Sequence, residues 1–223
     1  MNRIAAWLAA AWTLGGFALF AGEAGSHAWW DVVWVLLVSL AAYTGLVETG
    51  GLGRARVCAA VSLVVFGGMA VMTSLTGWPL GPLRFAGPGA LVLGNVLPLL
   101  PVLLAFAVLA LAWKAAGVAF PGLEARALAG VAAGFFLATL GNGVAFFAEA
   151  RIWWLWNPWG SGGALVPGFV AFAVLGVAAF FVVRVFPADT ALKLGRWSDA
   201  ALVLLAMNLL FAGANVLVWV VSA

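Results

Sequence analysis

The stretch from Thr76 to Pro101 reads TGWPLGPLRFAGPGALVLGNVLPLLP, and it divides the chain. It packs five prolines and five glycines between two long apolar runs, along with Trp78, Arg84 and Asn95. Proline fixes its own backbone and lacks an amide donor, while glycine opens conformations closed to other residues. Such a segment cannot be one continuous helix; it predicts a shaped loop that re-enters helix near Asn95 or Pro98. Irregular backbone at a membrane boundary must be buried in protein or line a wet cavity. The expectation is a partly inserted loop forming one wall of a binding site, the plainer alternative being a long connection.

Outward from that stretch, composition sets the class. The 223 residues are 66% hydrophobic and only 8% charged, with a mean hydropathy of +1.18. Soluble domains carry about 25% charged residues, so the chain reads as an all-α, polytopic membrane protein forming a single integral membrane domain over residues 1–223. The net charge of +3 is spread thinly, with no basic cluster that would suit nucleic acid. Cys58 is the only cysteine and His27 the only histidine. An intramolecular disulfide, a cysteine metal cluster and a two-histidine site are thereby excluded within one chain.

A helix needs about 20 apolar residues to cross a hydrocarbon core about 30 Å thick. Seven stretches qualify: Ile4–Gly22, Trp30–Val47, Val57–Thr76, Asn95–Ala116, Ala127–Ala148, Gly168–Val185 and Asp199–Val221. The first resembles a secretory signal in having Arg3 before an apolar run and small residues after it. Its length, with Trp7 and Trp12 inside, makes it the first helix instead. With seven helices, one side collects Arg3, Arg54, Arg56, Lys114, Arg126, Arg184, Lys193 and Arg196, and the other only Arg84 and Arg151. Lysine and arginine favour the cytoplasmic side. The N-terminus is therefore expected in the cytoplasm, the C-terminus outside, and the plasma (inner) membrane as the location.

Both unusual loops then fall outside, the second being EARIWWLWNPWGSGGALVP from Glu149 to Pro167. Nine of the 13 tryptophans also lie toward that side. An interfacial belt accounts for aromatic residues without function, but a belt usually has two faces. Flat rigid rings also suit the walls of a conjugated ligand. Asn95, Asn142 and Asn215 are expected in the outer halves of their helices and Asn208 near mid-membrane. Asn208, Ala212 and Asn215 share one helical face. Amides in hydrocarbon should turn toward the bundle interior and pair there. Gly130, Gly134, Ala138, Gly141 and Ala145 form a small-residue stripe, read as helix packing.

Glu23, Asp31, Glu48, Glu124, Glu149, Asp189 and Asp199 all lie at or near the ends of the stretches, which disfavours a proton relay through the membrane. No Walker loop, dinucleotide fingerprint or HExxH is present, and no cofactor or metal is called for. Lys193, in a loop, argues against a retinal Schiff base in the last helix.

The run Thr76-Gly77-Trp78-Pro79-Leu80-Gly81-Pro82, followed by Gly94-Asn95-Val96-Leu97-Pro98-Leu99-Leu100-Pro101, resembles the central signature of the carotenoid biosynthesis membrane proteins. That family, which includes carotenoid hydratases, reads TG-x-P/L-FGPY-x-Y and then GVPLLIPLAW opening a helix. Trp154-x-Trp156 and Pro167 are similar to its second signature, W-x-W … G-x-P-x-x-N. The likeness runs from about Met69 to Phe172. It departs at Val71, where the family has glutamate, at Leu83 and Phe85, where it has tyrosines, and around Asn142, where it has acids.

The resemblance implies an isoprenoid or polyene ligand among membrane lipid. Its end group would be held by Trp78, Asn95, Asn142, Trp153, Trp154, Trp156 and Asn215. Hydrating an alkene requires a proton donor, and the nearest remaining carboxylate is Glu149, with Arg151 close by in sequence. The alternatives are a non-catalytic pigment- or lipid-binding relative, a subunit of a larger membrane complex, and, third, a small-solute channel. A second copy of the chain stays open as a partner.

Overall fold

The computed structural model describes residues 6–13, 28–80, 84–85, 91–94, 96–145, 154–155, 165–187 and 199–222. Helix α1 is seen over 6–13, and α2 runs Ala28–Thr76, 49 residues in all. Then come α3 (Leu99–Ala119), α4 (Ala125–Ala145), α5 (Leu165–Val183) and α6 (Asp199–Ser222). Four helical stretches are long and apolar enough to cross a membrane: Trp29–Thr76, Leu99–Ala119, Ala125–Val144 and Asp199–Leu217. A further apolar stretch covers Phe169–Val183.

Helix α2 is not one rod. Gly51 has φ 77° and ψ 166°, a left-handed, non-helical backbone that glycine adopts without strain. Ser39, before it, donates to the Leu103 carbonyl at 3.4 Å, while Gly67, after it, lies against Val102. In a straight helix those two positions would stand about 42 Å apart at about 1.5 Å per residue. Both meet the same turn of α3, so the chain folds back at Gly51 into two limbs, 28–50 and 52–76. The sequence suggested a loop from Glu48 to Arg56; instead helix continues on both sides of a single reversing residue.

Gly51 marks one end of the bundle. Gly50 abuts the Pro187 ring, and the Trp113 indole donates to the Pro187 carbonyl at 3.0 Å. Cys58 lies 3.5 Å from the Val185 carbonyl. The opposite end carries the two long loops and is called the loop end below. Helix α3 is enclosed along most of its length and packs against α2, α4, α5 and α6. Around it, Phe66 stacks on Phe136 at 5.4 Å and Trp34 meets Phe211 edge-on at 6.2 Å. Val64, Phe169, Phe181 and Val216 face outward. Water would make such a surface a liability, whereas lipid is its natural surroundings. The chain is a helical membrane protein.

Three expectations need amendment. The fourth apolar stretch, placed from Asn95, has its helix from Leu99 with Pro98 just before it, the later of the two re-entry points expected. Asn95 itself lies outside the described residues. The all-α reading also missed two short antiparallel ladders. One pairs β1 (Arg84–Phe85) with β4 (Trp154–Leu155), and the other pairs β2 (Val92–Leu93) with β3 (Leu97–Pro98). Finally, the stripe on α4 is not a packing surface throughout. Gly141 touches Phe172, but Gly130 and Gly134 face open space, and the close approach comes from Gly176 of α5 against Leu137.

Candidate functional site

Two separate loops meet at the loop end. Arg84 lies opposite Leu155, and Phe85 opposite Trp154, so the Gly/Pro-rich stretch and the tryptophan-rich stretch are joined through their backbones. Before the ladder, the chain leaves α2 through Gly77 at φ 73° and a cis Trp78–Pro79 bond. The Thr76 hydroxyl accepts from the Trp78 amide at 3.2 Å, holding this turn. Leu80 is buried and packs against Ala171, Leu175 and Met69, which pins the start of the loop onto α5. Farther along, the Val92–Pro98 pairing folds the remainder of the loop into a hairpin against α2.

Within the bundle, α4 and α6 are tied by amides. Asn142 Nδ2 donates to the Asn208 carbonyl at 3.0 Å and to Asn208 Oδ1 at 3.3 Å. Asn208 Nδ2 donates in turn to Thr139 Oγ1 at 3.0 Å and to the Leu204 carbonyl at 2.9 Å. Asn215 Nδ2 donates to the Asn142 carbonyl at 3.0 Å and to Asn142 Oδ1 at 3.1 Å. The four side chains make one chain: Asn215, Asn142, Asn208, Thr139. Asn142 and Asn215 thus converge as the sequence suggested, and Asn208 stands between Asn142 and Thr139. Thr139 was missed because an isolated threonine in an apolar stretch ordinarily bonds its own helix.

The hydrogen-bonding capacity left over is unevenly placed. Among the described residues, three buried side-chain atoms lack a partner: Trp12 Nε1, Thr73 Oγ1 and Asn215 Oδ1. All three belong to the loop half. Trp12 packs edge-on against Trp29 near the start of α2, Thr73 is one turn from the end of α2, and Asn215 lies in the last turns of α6. Toward the Gly51 end, Trp113 and Ser62 both have their partners. Buried polar groups are almost always satisfied, so exceptions gathered at one end ask for a cause.

The tryptophans divide. Trp30 and Trp34 stack at 5.4 Å inside the core, where Trp34 Nε1 donates to Thr13 Oγ1 at 2.8 Å. They are structural rather than belt residues. Trp78 is 61% exposed at the loop end. Trp154 takes part through its backbone in β4, while Trp153, Trp156 and Glu149 lie outside the described residues. Asp31, which the sequence placed simply at a helix end, is 1% exposed in the first turn of α2. There the free amides of the helix start favour a carboxylate.

Comparison with models of protein families, with curated proteins and with solved structures finds no match to this chain.

Proposed function

We propose that this protein holds the end group of an isoprenoid or polyene within the bilayer, at the loop end of its bundle. One observation carries the reading: among the described residues, the buried side-chain atoms without a partner all lie in the half of the bundle where two loops pair, and one of them heads a chain of neutral amides. Amides offer donors and acceptors without charge, which suits a weakly polar terminus on an apolar chain. The resemblance of Thr76–Pro101 and of the Trp154–Pro167 region to the carotenoid biosynthesis proteins supports the same ligand class.

In this reading the chain crosses the membrane seven times. Limbs 28–50 and 52–76 count separately, because each exceeds the roughly 20 residues a crossing needs. Arg54, Arg56, Lys114, Arg126 and Arg184 all belong to the Gly51 end, with Arg84 at the other. The Gly51 end is therefore cytoplasmic, the loop end external, and the plasma membrane the location. A C-terminal tag should be cut by protease added to intact spheroplasts; a protected tag would reverse the orientation.

The amide chain contains no group that donates a proton near neutral pH, which suits binding without catalysis. End-group hydration would fall to Glu149. Cells making acyclic polyenes, expressing the wild type or Glu149→Gln, separate the two. Coloured purified protein with unchanged polyene products is the expected result. Hydroxylated products that vanish in Glu149→Gln would establish the hydratase instead, and colourless protein with unchanged products would remove the polyene ligand.

A further inference from the structure

The amide chain has a direction, and the direction selects a ligand. Each Nδ2 faces a main-chain carbonyl: Leu204 for Asn208, Asn208 for Asn142, and Asn142 for Asn215. A main-chain carbonyl can only accept, so none of the three amides can be turned over without setting oxygen against oxygen. With the nitrogens fixed, Asn142 Oδ1 and Asn208 Oδ1 receive the preceding amide, and Thr139 Oγ1 takes the last donor. Every amide hydrogen is spent inside the chain. What remains at its head is Asn215 Oδ1, buried and without a donor.

We propose that Asn215 Oδ1 is the recognition atom of the loop end, and that it selects a hydroxyl-terminated isoprenoid or polyene over the same molecule ending in a carbonyl or an ether. This rests on the isoprenoid reading above and narrows it. A hydroxyl brings the proton that the oxygen lacks, whereas a carbonyl or ether would set a second acceptor against it. An amide oxygen also carries no formal charge with which to offset an ammonium group. The position suits such a contact, because Asn215 lies near the loop end of α6, flanked by Ala212 and Val216 on the outward-facing side.

The test uses the full chain in lipid nanodiscs with two matched probes, retinol and retinyl methyl ether. They share one polyene and differ in whether the terminal oxygen can donate. Binding is read by quenching of tryptophan emission. The wild type should bind retinol about tenfold more tightly than the ether, the ratio that about 1.4 kcal/mol gives. Asn215→Leu should bind both alike. Equal affinity of the wild type for the two probes would overturn the selection while leaving the isoprenoid reading in place. A preference that survives in Asn215→Leu would overturn the assignment of the atom. If neither probe binds the wild type, the isoprenoid reading fails and this inference falls with it.

Discussion

Cysteines placed at Arg84 and Leu155 should oxidise to a disulfide in most of the protein, seen as a mobility shift under non-reducing conditions. These two residues stand directly opposite in the β1–β4 ladder. Opposed Cα atoms in an antiparallel pair are about 4.5 or 5.5 Å apart, depending on the kind of pair. Both values lie within the roughly 4.4–6.8 Å that a disulfide spans. Cys58 is buried and stays out of the reaction. The control pairs Arg84→Cys with Trp154→Cys, one position out of register, where the side chains leave opposite faces of the ladder. That pair should cross-link poorly. Equal yields from the two pairs, or none from either, would mean that the loops do not join in this register.

Asn142→Leu should have the larger energetic effect, because Asn142 sits in the middle of the amide chain. The change removes the donor to Asn208 and one of the two acceptors used by Asn215. A single side-chain hydrogen bond inside a membrane protein averages about 0.6 kcal/mol and reaches about 1.7. Losing three linked bonds should lower stability in detergent by about 2 kcal/mol, read from the denaturant midpoint. Retinol affinity should fall by about tenfold, since Asn215 is no longer held in place. Thr139→Val, at the far end of the chain, should cost less and leave retinol affinity unchanged. Were Asn142→Leu to reduce stability while sparing retinol binding, the amides would be inter-helix fastening and nothing more.

The apolar stretches were legible because backbone in hydrocarbon must satisfy its own hydrogen bonds, which forces helix wherever a run is long enough. Their ends were less so. Positions 48–56 looked like a loop because they hold Glu48, Arg54, Arg56 and three glycines, yet only Gly51 departs from helix. The spacing of Asn208, Ala212 and Asn215 placed the two amides on one face, but no local pattern names Thr139 on α4 as the partner across the gap. The glycine stripe was misjudged for a related reason. In lipid, a surface leucine is as apolar as a core leucine, so periodicity does not reveal which face looks inward. Trp30 and Trp34 illustrate the same ambiguity, having the sequence appearance of belt residues and the burial of core residues. The meeting of residues 84–85 with 154–155 spans some seventy positions, and neither segment carries a strand pattern that would announce it.

The reversal at Gly51 bears on how the protein is made. Two apolar limbs joined through one non-helical residue leave no loop between them. If the chain crosses as proposed above, they would enter the bilayer together as a hairpin, with exposed Arg54 and Arg56 just beyond the bend at the near surface. Nothing lies within 4 Å of where a Cβ at Gly51 would stand, so a side chain there is opposed by backbone conformation and not by crowding. A residue that straightened this bend would present the insertion machinery with a single rod more than twice as long as the membrane is thick. The damage would be done before the loops, α4 or α6 had been synthesised.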